Sequence, residues 1–264
     1  MDGHPPASPA DEPGSPDKVG AESVEEQPAI RRLWWVWSLL ALVVLTVGAF
    51  AATRSVLLDV DEVLVDGVGD RLDRLLVVEV SGIRTGDPMV DVSSEAAAHR
   101  VATLPWVAEA KVVRDWPGTV RIWFVERQAV VNAVDPTGRW ALLDGSATVL
   151  ETPAIPEADL PTIRVDRLGA EGTRVTGIGP LLEAASAVPA DLRAWIVALV
   201  PAGSGVRAEL VGGVDADLGR GDDYLDEMRS LATILSRVVL GCVVSIDVSI
   251  HENPVVRRDE VRCG

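Results

Sequence analysis

Cysteine, histidine and positive charge are all scarce in this chain, and each scarcity excludes a class of function. Two cysteines, Cys242 and Cys263, stand in 264 residues. That is too few for a disulfide framework, and their spacing is not that of a metal site. The three histidines, His4, His99 and His251, fall in a polar N-terminal stretch, a predicted helix and the exit of the last predicted strand. No His–Cys or His–Asp–Glu cluster has ligand spacing, so no metal and no cofactor is expected. A G-x-S-x-G elbow, a P-loop and a G-x-G-x-x-G turn opening a helix are missing too. The pairs Asp61-Glu62 and Asp222-Asp223 are what remains for acid–base work. Neighbouring carboxylates in a strand point to opposite faces, and Asp222-Asp223 is better explained as a helix start. An enzyme is not expected. Lys and Arg number 24 against 40 acids, a net charge of −16. Phosphate binding needs a basic surface, so nucleic acid is excluded, as is a broad patch for anionic lipid headgroups. The acidity indicates a soluble, self-repelling surface and names no small-molecule substrate.

Only 4% of residues are aromatic, and eight of these few are Trp. Three of them, Trp34, Trp35 and Trp37, open the chain's long apolar run. Between Arg32 and Arg54 the sequence LWWVWSLLALVVLTVGAFAAT carries no charge. About 20 apolar residues cross the hydrocarbon core of a bilayer as a helix, and indole rings favour its interface. Residues 33–53 are therefore expected to be one transmembrane helix. Arg31 and Arg32 precede it and only Arg54 immediately follows, so the positive-inside rule places the N-terminus in the cytoplasm. Ala49-Phe50-Ala51 resembles the cleavage site of a secretory signal. However, a signal has a shorter apolar run and a short basic leader, which favours an uncleaved anchor. Residues 1–32 are rich in proline and acid and poor in large apolar side chains, as in a disordered cytoplasmic tail.

Past the anchor the pattern turns to short elements. Residues 60–67 read as a strand closed by Gly67. Leu72, Leu75, Leu76 and Val80 fall at helical spacing before Gly82. A second helix is capped by Asp91 or Ser93, carries Ala97, Val101 and Leu104 inward, and stops at Pro105. Residues 107–114 and 119–126 form a hairpin around Asp115-Trp116-Pro117-Gly118, with Val120, Ile122 and Phe124 on one face. The order is β-α-α-β-β. On their own, Trp106 and Trp116 are most simply packing residues, and Arg114, Glu126 and Arg127 surface ion pairs of small value.

The second half begins with hairpin grammar: Asp135-Pro136-Thr137-Gly138, a strand at 140–143, Asp144-Gly145 and a returning strand at 147–150. Pro153, Pro156 and Pro161 make residues 151–161 a loop. Pro180 opens a helix with Leu181, Leu182, Ala185 and Val188 inward. Strands follow at 195–200, 206–211 and 214–218. A helix over 223–238 turns Tyr224, Leu225, Met228, Leu231, Ala232, Leu235 and Val238 to one face, with acids at its start and Arg237 at its end. In the last predicted strand, 243–250, Val244, Ile246, Val248 and Ile250 alternate with polar neighbours until Pro254. The whole reads as α+β: one transmembrane helix, a β-α-α-β-β domain over 57–127, a mixed antiparallel β domain with flanking helices over 128–256, and a tail over 257–264.

Several strings in these two domains are similar to those of a known family. They are Val63-x-Val65-x-Gly67, Gly86-Asp87-Pro88, and Leu104-Pro105-Trp106-Val107 leading through Arg114-x-Trp116-Pro117-x-Thr119-Val120-x-Ile122 to Glu126-Arg127. Together they resemble the POTRA domain of the FtsQ/DivIB cell-division proteins, of the actinobacterial kind. Ala129 stands where that family often has Pro. The Asp144-Gly145 hairpin, Leu218-Gly219 and Ile246-Asp247-Val248 resemble that family's β domain, without the Lys it often carries early in the helix. The resemblance implies a single-pass scaffold of the cell membrane, concentrated at the division septum. Such a scaffold binds FtsB/DivIC-type and FtsL-type proteins and other divisome components, and helps assemble the machinery of septal peptidoglycan synthesis. Two other readings are a POTRA-bearing envelope assembly or transport component and a membrane-anchored extracytoplasmic sensor. The first usually carries several POTRA repeats and a β-barrel, and neither is visible in this sequence. The second needs an output module that residues 1–32 do not supply. Partner capture is expected by strand addition along Val243, Val244, Ser245, Ile246, Asp247, Val248, Ser249 and Ile250, taken as an edge strand. The competing reading is a structural strand blunted by Asp247. If the outer part lies outside the cytoplasm, Cys242 and Cys263 can pair; alternatively Cys263 belongs to a frayed tail.

Overall fold

The protein's computed structural model describes residues 29–53 and 58–259. The stretch before residue 29, with His4, and Cys263 lie outside the described residues. The chain divides into two compact units, one ending at Ala51 and one beginning at Ala52. In the first, helix α1 spans Ala29–Thr53, and its segment Trp34–Ala51 is long and apolar enough to cross a membrane. A rise of 1.5 Å per residue makes those 18 residues about 27 Å long, close to a bilayer's hydrocarbon thickness. The Thr46 hydroxyl donates back to the Leu42 carbonyl at 2.6 Å, so this polar group satisfies itself within the helix.

The second unit opens with β1 (Glu62–Val68), α2 (Arg74–Ser81), α3 (Ser94–Val101), β2 (Val107–Asp115) and β3 (Thr119–Glu126). The sheet order is β1-β3-β2, with β1 parallel to β3 and β2 antiparallel to it. Asp73 caps α2, accepting from the Leu75 N–H at 2.9 Å, and Ser93 rather than Asp91 caps α3. The inward residues Val120, Ile122 and Phe124 meet Val77, Ala97 and Val101 in one buried cluster. Gly67 is dictated by this packing: a Cβ there would stand 2.2 Å from the Phe124 ring.

The expected inward face of α2 is wrong. Leu75 is 77% exposed and Leu76 is exposed too, while Val77 and Ser81 are buried. Leu72 precedes the helix, so the stripe takes its phase from Asp73 at the cap, and the run of four apolar residues offers two stripes of which packing chose the second.

The remaining strands form one nine-stranded sheet. They are β4 (Ala129–Val134), β5 (Trp140–Asp144), β6 (Val149–Glu151), β7 (Thr162–Arg164), β8 (Ile196–Ala202), β9 (Gly205–Leu210), β10 (Val214–Gly219), β11 (Val243–Asp247) and β12 (Val255–Arg258). Their order is β12-β11-β10-β9-β8-β7-β4-β5-β6. Helices α4 (Gly179–Ser186) and α5 (Leu225–Leu235) join one face, where Leu181, Met228 and Leu231 share a core with Leu199, Ala208 and Ala216. Each fully buried Leu or Met contributes about 1.5–3 kcal/mol. On the opposite face of the sheet, cross-strand pairs stand instead: Arg207–Asp215 at 3.2 Å and Arg164–Glu209 at 2.9 Å. Strands β4, β7 and β12 have no counterpart in the sequence reading. Leu225, expected inward on α5, is exposed, because Tyr224 turns left-handed before the helix begins. Leu218-Gly219 ends β10 with Gly219 at φ 66°, a conformation Gly takes without penalty.

Candidate functional site

The segment expected to carry partner binding lies in the sheet otherwise than as an edge. Val243, Val244, Ser245, Ile246 and Asp247 form β11, while Val248, Ser249 and Ile250 leave it. One side of β11 is parallel to β10, with Ser245 opposite Asp215 and Ile246 opposite Ala216. The other side is antiparallel to β12, with Ile246 opposite Val256 and Asp247 opposite Val255. Its backbone is therefore engaged on both sides, and the edge belongs to Val255–Arg258. Pro254 precedes a further strand instead of ending the sheet.

Nor does the alternation hold along the whole segment. Val243, Ile246 and Val248 are buried, while Val244 is 54% and Ile250 is 65% exposed. The pairing register shifts between Val243 and Ser245, and a bulge of that kind flips the face of every residue on one side of it. At the strand's exit the Asp247 carboxylate accepts from the Ser249 hydroxyl at 2.6 Å and its N–H at 3.0 Å. Those two bonds hold its pKa below the ordinary carboxylate range, against partial burial and with help from Arg257. This closed turn starts the return to β12, and the Asp259 N–H on the Cys242 carbonyl at 3.0 Å ties down the far end.

The two ends of the large sheet differ. Beyond β6 the segment 172–175 lies alongside: the Val149 N–H donates to the Thr173 carbonyl at 2.9 Å, Gly172 to Val149 at 2.8 Å, and Val175 to Ala147 at 2.9 Å. Beyond β12 no strand pairs among the described residues. An edge of this kind offers free N–H and C=O groups for a strand from another chain.

A second functional cluster sits where the small sheet gives way to the large one, and it gathers the Glu126-Arg127 pair read above as surface charges. Glu126 accepts from the Leu72 N–H at 2.7 Å and from the Arg71 N–H at 3.3 Å. Arg127 reaches across to Asp144 at 2.8 Å and donates to the Val107 carbonyl at 3.1 Å. The Arg71 guanidinium lies 5.1 Å from the Trp106 ring centroid and 2.7 Å from Glu157. Burial pushes the Asp144 carboxyl up, yet the Thr148 N–H, the Ser146 hydroxyl and Arg127 outweigh it and hold the pKa below the usual value. Glu157 is itself fixed by Asn132, whose amide donates to the Glu157 and Leu160 carbonyls at 2.8 and 3.0 Å. The partly buried Arg127–Asp144 bond and the exposed Arg71–Glu157 pair run from the small sheet's domain to the large one's, so Arg127 works as a joint rather than as surface decoration. Trp116, by contrast, is 52% exposed and packs less than expected.

Among the described residues, no group of three or more His, Cys, Asp or Glu could hold a metal ion. His251 stands 4.0 Å from Glu227, and Cys242 is disulfide-bonded. The edge strand β12 left little trace in the sequence. Two valines after a proline are too short a run to show alternation, and only the Arg-Arg that follows marks a polar rim.

Comparison with known proteins bears on the first of the two domains and on the chain at large. The family model described as "POTRA domain, FtsQ-type" matches residues 58–127. The chain is 29% identical to "Cell division protein FtsQ" of Mycolicibacterium smegmatis over 182 residues, covering 69% of this chain and 52% of that protein. It is 29% identical to the protein of the same name from Mycobacterium leprae over 185 residues, 68% of this chain and 51% of the relative. The Streptomyces coelicolor protein of that name is 27% identical over 184 residues, 63% of this chain and 66% of its own length. The chain thus spans about half the length of the two mycobacterial relatives. Residues 58–127 therefore carry a POTRA domain of the FtsQ type, and the chain is similar over 182–185 residues to actinobacterial proteins named for cell division.

Proposed function

We propose that this protein is a single-pass scaffold of the cell-division apparatus rather than an enzyme. It captures an FtsB/DivIC-type partner and, through it, an FtsL-type protein by strand addition, and so helps assemble septal peptidoglycan synthesis. Helix α1 is the membrane anchor, the N-terminus is cytoplasmic, and the POTRA and β domains stand outside at the division septum. The observation that carries the reading is the outer side of Val255–Arg258, with which no strand pairs among the described residues. The FtsQ-type POTRA domain and the similarity to relatives named for cell division support the division role. Strand addition moves from residues 243–250, whose backbone is engaged on both sides, to β12, with β11 as its support.

Successive N–H groups of an edge strand point alternately inward and outward. Of the substitutions Val256→Pro and Arg257→Pro, one therefore removes a bond to β11 and the other only a group that faces a partner. Capture of the FtsB/DivIC-type partner by the full chain in nanodiscs should fall at least tenfold in the outward-facing variant, with its unfolding midpoint unchanged. Undiminished capture by both would sink strand addition at this edge. Normal septation after depletion would sink the division role itself.

A further inference from the structure

We infer that the cleft between β7, β8 and the loop over 165–178 is a second docking site, which takes an acidic peptide segment of a partner protein. The cleft encloses about 540 Å³, room for a few side chains. Its floor is apolar, formed by the buried Val165, Ile178 and Leu181. Its rim brings together Arg164, Arg167 and Arg174, with Asp166 as the one acid in the lining. Arg164 is already paired, at 2.9 Å from Glu209. Arg167 and Arg174 have no carboxylate within ion-pair distance among the described residues, in a chain of net charge −16. Arg127, Arg139 and Arg207 are held by an aspartate, whereas Arg193 and Arg237 have no ion pair among the described residues either, so what marks the cleft is two such groups meeting over one apolar floor.

The loop that presents the two free groups is fixed in place. Leu168 is buried in the core and its carbonyl accepts from Arg139. Residues 172–175 are bonded to β6 and its approach, and the Glu171 carboxylate takes the Thr152 N–H at 3.1 Å and the Thr152 hydroxyl at 3.0 Å. A long loop held so firmly is more often a binding element than a connection. Guanidinium forks donate to carboxylates two bonds at a time, and an apolar floor between them takes the aliphatic side chain next to an acid. An acidic peptide is repelled by the protein's overall field, so its capture requires a local site of this kind. The cleft stands four strand spacings from β12, about 19 Å, so both docking sites can be filled together.

The test uses the full chain in nanodiscs of zwitterionic lipid and a short fluorescein-labelled peptide alternating glutamate and leucine. Its glutamine–leucine counterpart is the control. Anisotropy should rise to saturation for the glutamate peptide at low salt, weaken as salt is added, and stay flat for the glutamine peptide. Arg167→Glu with Arg174→Glu should weaken binding more than tenfold, and Arg167→Gln with Arg174→Gln should weaken it less. Arg84→Glu with Arg237→Glu changes net charge as much as the first pair, away from the cleft, and should cost under threefold. The proposal is overturned if the glutamate peptide does not saturate at low salt. It is equally overturned if the two charge-reversed pairs weaken binding alike, which would make the effect one of field and not of site.

Discussion

Tyr224 carries two local penalties at once. Its φ of 56° is left-handed, which costs a residue with a Cβ about 1–2 kcal/mol, and its fully buried hydroxyl has no hydrogen-bond partner. What retains it is the ring, among the largest fully buried side chains of the described core. Tyr224→Phe keeps the ring and removes the orphan oxygen, so it should raise stability by about 1 kcal/mol, read as a higher urea midpoint; a fall of that size would mean the hydroxyl has a partner. Asp144 is the opposite case, a buried carboxylate with every neighbour donating to it. Its folded-state pKa is depressed, so the stability it adds is complete above the ordinary carboxylate value of about 3.9 and is lost as pH falls through the depressed value. Asp144→Asn should cost about 1–3 kcal/mol at neutral pH and progressively less in acid. Equal midpoint gaps at neutral and acidic pH would show that the charge is irrelevant.

At the scale of elements, α2 shows what a sequence can and cannot say. That a helix lies just before Gly82 is legible from the apolar spacing and the glycine, while the capping Asp73 is seen only in the structure. Which side faces inward is not legible, because Leu75, Leu76, Val77 and Val78 are apolar all round and only the position of the sheet selects Val77. Leu75→Glu should therefore change stability by less than about 0.5 kcal/mol, while Val77→Ala costs about 2 kcal/mol. Equal costs in chemical denaturation would reverse the assignment of faces. The hairpin of β2 and β3 was read correctly because strict alternation and the Pro117-Gly118 turn agree. The segment after Gly241 misled because one bulge breaks its alternation, and the strand that pairs with it has too few residues to announce itself. The Glu126-Arg127 joint was visible as a family string, but its work was not. A salt bridge between residues 17 apart depends on how two sheets meet, and no local pattern encodes that.

For the molecule as a whole, the charge and the anchor set the terms. A net charge of −16 keeps the folded part soluble. The single apolar helix gives the proposed topology a direct check. Protease added to the outside of spheroplasts should digest the region beyond residue 58 and leave an epitope tag at the N-terminus intact. Loss of the tag with the folded region protected would invert the orientation. The large sheet also has a polarity of growth. At the β6 end residues 172–175 lie alongside in a short irregular segment, while the β12 end is a regular strand with nothing paired beyond it among the described residues. On the proposed reading an incoming strand extends the regular ladder at β12, so the partner's contribution to the sheet is read as one added rung and no rearrangement of the rungs already there.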